Sequence, residues 1–272
     1  MFYSMKNVKL HYEIIGDGKP IIILHGLGCN LNLMKCCMEP IFNTQSNYKR
    51  IYIDLPGMGQ STAPTEYATS DHILEILVSF IENIEVKNFL LIGESYGGYL
   101  ARGILTRYFK DVDGMMLLCP VIEPTHSKRN LPLTDVRFTD EKYLNTLSNE
   151  ERKEFCEFAV LANQYTHKRY KNEIHSGLAQ ANSIFINALG NNYGFSFNVD
   201  KIIQESGFQR PVLFICGKQD NCVGYQDTWR LIESYARATF SVLDMAGHNL
   251  QIEQPHLFNE LVTDWLSRIE KG

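Results

Sequence analysis

The chain carries a series of short, continuous apolar runs separated by longer segments with helical periodicity. Ile21-Ile22-Ile23-Leu24 is the first such run. Residues 50–54, centred on Ile51, Tyr52 and Ile53, repeat the type, as do 89–92 and 115–119; 212–216 and 240–243 follow much later. An apolar run without alternation is what a strand covered on both faces requires, because both of its side-chain rows meet protein. Residues 9–15 read as a further strand, ending at the turn signal Gly16-Asp17-Gly18. Between the runs, Ile73, Ile76, Leu77, Phe80, Ile81 and Ile84 stripe a helix over 71–84 that Ser70 or Asp71 can cap. Residues 96–109 should also be helical. Leu257, Phe258, Leu261, Val262, Trp265, Leu266 and Ile269 place a wide apolar stripe on a last helix. Strand–helix alternation of this kind predicts an α/β fold, a parallel sheet with helices on both faces.

The rhythm breaks after Cys119-Pro120. Residues 121–205 hold no comparable run; they are polar, rich in Lys, Glu and Asn, with Phe155, Phe158, Tyr165, Tyr170, Phe185 and Tyr193 interspersed. The segment is too long and too aromatic for a plain loop and reads as a mostly helical insertion. The expected organisation is a core from 1–120 and 206–272, interrupted by 121–205. A length of 272 residues suits one domain with such an insertion.

Gly93-Glu94-Ser95-Tyr96-Gly97 follows the run 89–92 directly and opens a helical pattern. A serine held on a sharp strand-to-helix turn projects its hydroxyl outward, and only small neighbours let strand and helix approach that closely. The helix start presents free N–H groups to developing negative charge. The loop His25-Gly26-Leu27-Gly28 follows the run 21–24. Its glycines let a backbone N–H turn toward the serine, so the amides of Leu27 and Tyr96 form the expected oxyanion hole. The His25 side chain itself is expected to hold the loop rather than react.

A serine nucleophile needs a base, and the base needs a carboxylate to fix its tautomer. Asp220, in Gly217-Lys218-Gln219-Asp220, and His248, in Ala246-Gly247-His248, each follow a strand-like run. Strand ends of this kind are where open α/β sheets place their sites. Ser95, Asp220 and His248 are therefore the expected catalytic residues. Glu94 is expected to be a turn residue or a partner to a nearby polar group. Cys29 and Cys222 lie near the expected site but off the nucleophile position.

These motifs together resemble the α/β-hydrolase superfamily. So does Asp54-Leu55-Pro56-Gly57-Met58-Gly59-Gln60-Ser61, which is similar to the D-x-P-G-x-G-x-S turn of its cap-bearing members. The resemblance implies an eight-stranded, mostly parallel sheet with a helical cap after the sixth strand, and a structural role for that turn. It also implies Glu123 as the alternative acid, since some relatives place theirs after the sixth strand. It implies a serine hydrolase working through an acyl-enzyme on a small-molecule substrate, with a small to medium carboxylic ester foremost. A C–C bond hydrolase, a prolyl-type aminopeptidase using cap acids such as Glu154, Glu157 or Glu173, and a serine perhydrolase share the same machinery. Dehalogenases and epoxide hydrolases of this fold carry Asp where Ser95 stands. A receptor-like protein that keeps the fold but binds without turnover is the alternative from another class.

Composition excludes several other classes. A net charge of −5 with no Lys/Arg-rich run argues against nucleic acid or an anionic membrane as partner. No apolar run approaches the ~18 residues of a membrane-spanning helix. Met1 to Leu10 show no secretory leader. Seven scattered cysteines lack metal spacing and are expected to be reduced thiols in a cytoplasmic protein. The dinucleotide and phosphate-loop glycine motifs are missing, so no cofactor and no metal are expected.

Overall fold

The first two strands, β1 (Phe2–Met5) and β2 (Val8–Ile15), pair antiparallel at one edge of the sheet. β3 (Lys19–Leu24), helix α1 (Asn32–Phe42), β4 (Tyr48–Ile53), α2 (Ser70–Asn83), β5 (Phe89–Glu94), α3 (Tyr96–Leu105) and β6 (Val112–Leu118) then alternate along the chain. The computed structural model describes residues 1–42, 47–133 and 135–271.

Between β6 and the next sheet strand come the helices α4 (Glu141–Leu144), α5 (Asn149–Phe158), α6 (Gln164–Tyr170), α7 (Ser176–Leu178), α8 (Ser183–Gly190) and α9 (Val199–Ser206), with a π-helical stretch at Lys171–His175. Two short strands, β7 (Phe138–Thr139) and β8 (Leu161–Ala162), pair with each other there. The asparagines of this polar segment start its helices: Asn163, Asn182 and Asn198 each accept backbone amides of the first turn. Ser148 and Glu151 form a reciprocal capping box on α5.

The core resumes with β9 (Val212–Gly217), α10 (Gln226–Trp229), β10 (Ala238–Leu243), α11 (Leu250–Glu253) and α12 (Pro255–Glu270). The main sheet has eight strands in the order β1-β2-β4-β3-β5-β6-β9-β10. Its first two pairings are antiparallel and all others parallel. The α/β fold expected from the apolar runs is the one observed. Every residue of β5 and β9 is buried, as unbroken apolar runs demand.

Local expectations change at several points. β1 carries no apolar run: its residues alternate between exposed and half-buried, as an edge strand permits. The cap of α2 is Thr69, whose hydroxyl accepts the His72 amide at 3.0 Å, because the Ser70 hydroxyl is drawn inward to the Tyr193 carbonyl and the Tyr96 hydroxyl. On α12 the stripe narrows to Phe258, Val262, Trp265 and Leu266 as its fully buried members, while Leu257 is 49% exposed. α3 ends at Leu105, earlier than residue 109, where the chain turns toward β6.

Candidate active site

Ser95 stands between β5 and α3 with φ +52° and ψ −114°, a backbone conformation that side chains rarely adopt. The two glycines around it make this turn possible. A Cβ at Gly93 would lie 2.4 Å from the Gly97 carbonyl oxygen, and one at Gly97 would lie 2.5 Å from the Leu24 carbonyl oxygen. The strand, the helix and β3 therefore meet at backbone contact.

The hydroxyl of Ser95 lies 2.9 Å from His248 Nε2, and His248 Nδ1 lies 2.9 Å from Asp220 Oδ2. The three residues come from loops after β5, β10 and β9, all at the carboxyl ends of parallel strands. Asp220 is fully buried, and its other oxygen accepts the amides of Cys222 and Val223 at 2.8 and 3.0 Å. Burial alone would raise its pKa, but His248 and these amides outweigh burial and hold it below the ordinary carboxylate value. Burial pulls His248 down, yet the carboxylates of Asp220 and Glu94 prevail and push it up to about 9. Glu123 does not join the group; its carboxylate accepts the Thr125 amide at 2.8 Å.

The loop after β3 is braced by His25. Its Nδ1–H donates to the Gly26 carbonyl at 2.7 Å while Nε2 accepts the Leu55 amide at 2.9 Å. Burial lowers its pKa, so the neutral ring serves both bonds. Leu55 belongs to the turn that Asp54 organises by accepting the amides of Leu31 and Gln60 and a bond from His11. Leu27 lines the cavity beside Ser95, and Tyr96 is the first residue of α3. Among the described residues, neither backbone amide donates a hydrogen bond to the protein.

The cavity over Ser95 has a volume of about 660 Å³. Residues 121–205 supply one side of it, with Phe158, Ile174, Leu178 and Tyr193; the core supplies Leu27, Cys29, Leu33 and Val223. Of the six interspersed aromatic residues, Phe158 and Tyr193 reach this cavity, whereas Phe155, Tyr170 and Phe185 are packed in the interior. Glu154, Glu157 and Glu173 are not among its lining residues, and Glu173 is held by Arg169 at 2.6 and 2.8 Å. Burial raises the thiol of Cys29 and pushes Cys222 up to about 12, so neither is an activated thiolate.

Two further acids lie beside this group. Glu253 accepts the Gly247 amide at 2.6 Å and the Val160 and Leu161 amides at 2.6 and 3.0 Å. Glu94 places Oε1 3.4 Å from His248 Nε2. The position of Glu94 beside Ser95 suggests a turn residue or a partner to a polar group, and His248 is the polar group it faces; no sequence signal marks Glu253.

With this geometry in place, comparison with known proteins assigns the class. Residues 19–255 match the family model for the alpha/beta hydrolase fold, and the chain belongs to that family. The structure is similar to that of an alpha/beta superfamily hydrolase from Oenococcus oeni PSU-1, with a TM-score of 0.89 and 35% identity over 99% of both chains. The sequence is 27% identical to a pimeloyl-[acyl-carrier protein] methyl ester esterase of Shewanella woodyi, over 95% of this chain and 98% of the other. It is 23% identical to a 2-hydroxy-6-oxononadienedioate/2-hydroxy-6-oxononatrienedioate hydrolase of Paraburkholderia phymatum, over 96% and 92%. Among the described residues no helix is long and apolar enough to cross a membrane.

Proposed function

We propose that the protein is a serine hydrolase that cleaves a small to medium carboxylic ester through an acyl-enzyme. The observation that carries this reading is the chain of two 2.9 Å contacts from Ser95 Oγ through His248 to Asp220. His248 Nε2 takes the Ser95 proton as Oγ attacks the acyl carbonyl carbon. The carbonyl oxygen gains the negative charge and is met by the free amides of Leu27 and Tyr96. When the tetrahedral centre collapses, the C–O bond to the alcohol breaks and His248 delivers its proton to that oxygen. Water then enters by the same route, giving up a proton to His248 and releasing the acid. Residues 121–205 act as the cap that shapes the substrate cavity.

The test is covalent labelling with a fluorophosphonate together with turnover of short p-nitrophenyl esters. Both should occur in the native protein and be lost in Ser95→Ala. Labelling that persists at full rate in Ser95→Ala rejects the assignment. Tight ligand binding without turnover of any ester would favour a receptor-like protein.

A second reading, C–C bond hydrolysis of a carboxylate-bearing diketone, has one feature in its favour. The Arg129 guanidinium lines the cavity and is held by the main-chain carbonyls of Glu123 and Cys222 at 2.9 Å, with no carboxylate partner among the described residues. Turnover of a 2-hydroxy-6-oxo-dienoate faster than of any ester would select this reading.

A further inference from the structure

Glu94 is the residue of the nucleophile turn that the catalytic reading leaves without a task. Its side chain is 2% exposed, yet it belongs to the wall of the cavity over Ser95. Oε1 lies 3.4 Å from His248 Nε2, the nitrogen that also faces Ser95 Oγ at 2.9 Å. Oε2 is buried without a hydrogen-bond partner among the described residues. An ionised carboxylate with an orphaned oxygen is costly to bury. A proton on the adjacent imidazole and the Gly26 amide both favour its charged form.

We propose that Glu94 is a positioning residue that competes with Ser95 for the Nε2 side of His248 and so sets the pH at which the serine becomes nucleophilic. The event is one proton passing between His248 Nε2 and Glu94 Oε1. With the proton on His248, the pair is imidazolium and carboxylate, and Nε2 cannot accept the Ser95 proton. With the proton on Glu94, or absent from both groups, Nε2 is free and the Ser95 hydroxyl donates to it. The inference rests on the serine-hydrolase reading for its consequence in catalysis, but the proton competition itself does not.

The surroundings leave few other participants. Asp220, after β9, stabilises the imidazolium from the opposite ring nitrogen, and Arg129 opposes it. The thiols of Cys29, Cys119 and Cys222 and the phenol of Tyr193 also face Glu94, and burial raises all four, which keeps them neutral. Cys37 on α1 is likewise raised by burial. Burial pushes Glu94 up to about 7, with His248 opposing the rise, Asp220 adding to it and the Gly26 amide opposing it, so the carboxyl and the imidazole titrate as a coupled pair.

The decisive measurement is the pH dependence of kcat/KM in the native enzyme, Glu94→Gln and Glu94→Asp. Glutamine removes the negative charge that favours the imidazolium, so its acid limb should move to lower pH by about one unit. That reads as an about tenfold gain in kcat/KM on the acid side of the native limb. Aspartate keeps the charge, so its limb should stay closer to the native position. Equal displacement in both variants, or none in Glu94→Gln, overturns the proposal. A second measurement needs neither turnover nor a change at Glu94: the NMR titration of His248 in Ser95→Ala. Two coupled steps are expected, and a single step near the ordinary imidazole value overturns the proposal. Loss of all ester turnover in the native protein would reject the catalytic reading while this titration still decides the role of Glu94.

Discussion

The Glu253 carboxylate accepts the Gly247 amide at 2.6 Å, one residue before His248. Its other oxygen holds the amides of Val160 and Leu161, so one buried side chain ties the His248 loop to the 121–205 segment.

Glu253→Ala should leave three amides without their acceptor. Each orphaned buried group costs about 1–3 kcal/mol, so a total loss on the order of 3 kcal/mol or more is expected. Urea unfolding measures it. An unchanged midpoint would mean that the three bonds carry no net stability. kcat should also fall, since the Gly247-His248 turn loses its anchor.

Stability and activity should run in opposite directions with rising pH. His248 is pushed from 6.5 up to about 9, so the stabilisation from its imidazolium is complete below 6.5 and lost as pH rises through about 9. Glu94, raised from 4.5 to about 7, acts with the same sign at lower pH, because its neutral form is favoured in the fold. On the serine-hydrolase reading His248 must be unprotonated to act, so kcat/KM should climb while the urea midpoint falls. A midpoint that rises with pH across the interval from 6.5 to 9 would contradict this.

Asp220→Asn should reduce kcat by about 10⁴, the scale expected when the base loses the carboxylate that fixes its tautomer. Glu123→Gln should leave kcat near the native value, because that carboxylate is bound to the Thr125 amide. Steady-state kinetics on one ester separates the two acids, and the reverse pattern would move the acid to Glu123.

Phe158→Ala should enlarge the cavity and shift the preferred acyl chain of p-nitrophenyl esters toward longer members. Phe155→Ala, in the packed interior, should instead destabilise the fold by about 3–5 kcal/mol. A chain-length panel and urea unfolding distinguish these outcomes. A shift in chain preference from Phe155→Ala alone would place the cavity wall elsewhere.

Much of this protein is legible in its amino-acid sequence. The runs at 21–24, 89–92 and 212–216 announce central parallel strands, since only strands buried on both faces need continuous apolar sequence. Ser95, Asp220 and His248 are readable because each sits at a strand end, where chain order and sheet topology bring them together. β1 is not legible, since an edge strand with alternating exposure asks for no apolar run. The Thr69 cap is equally hidden, because Ser70 finds partners 26 and 123 residues away.

The sequence by itself determined the parallel strands, the strained turn at Ser95 and the placement of Asp220 and His248 at strand ends, because local period and glycine spacing dictate these. The tertiary structure alone decided which aromatic residues line the cavity, that Glu253 clasps the His248 loop, and that Glu94 shares a ring nitrogen with the serine. Those relationships depend on side chains meeting across loops distant in sequence, where distances and desolvation, rather than any local pattern, set the chemistry.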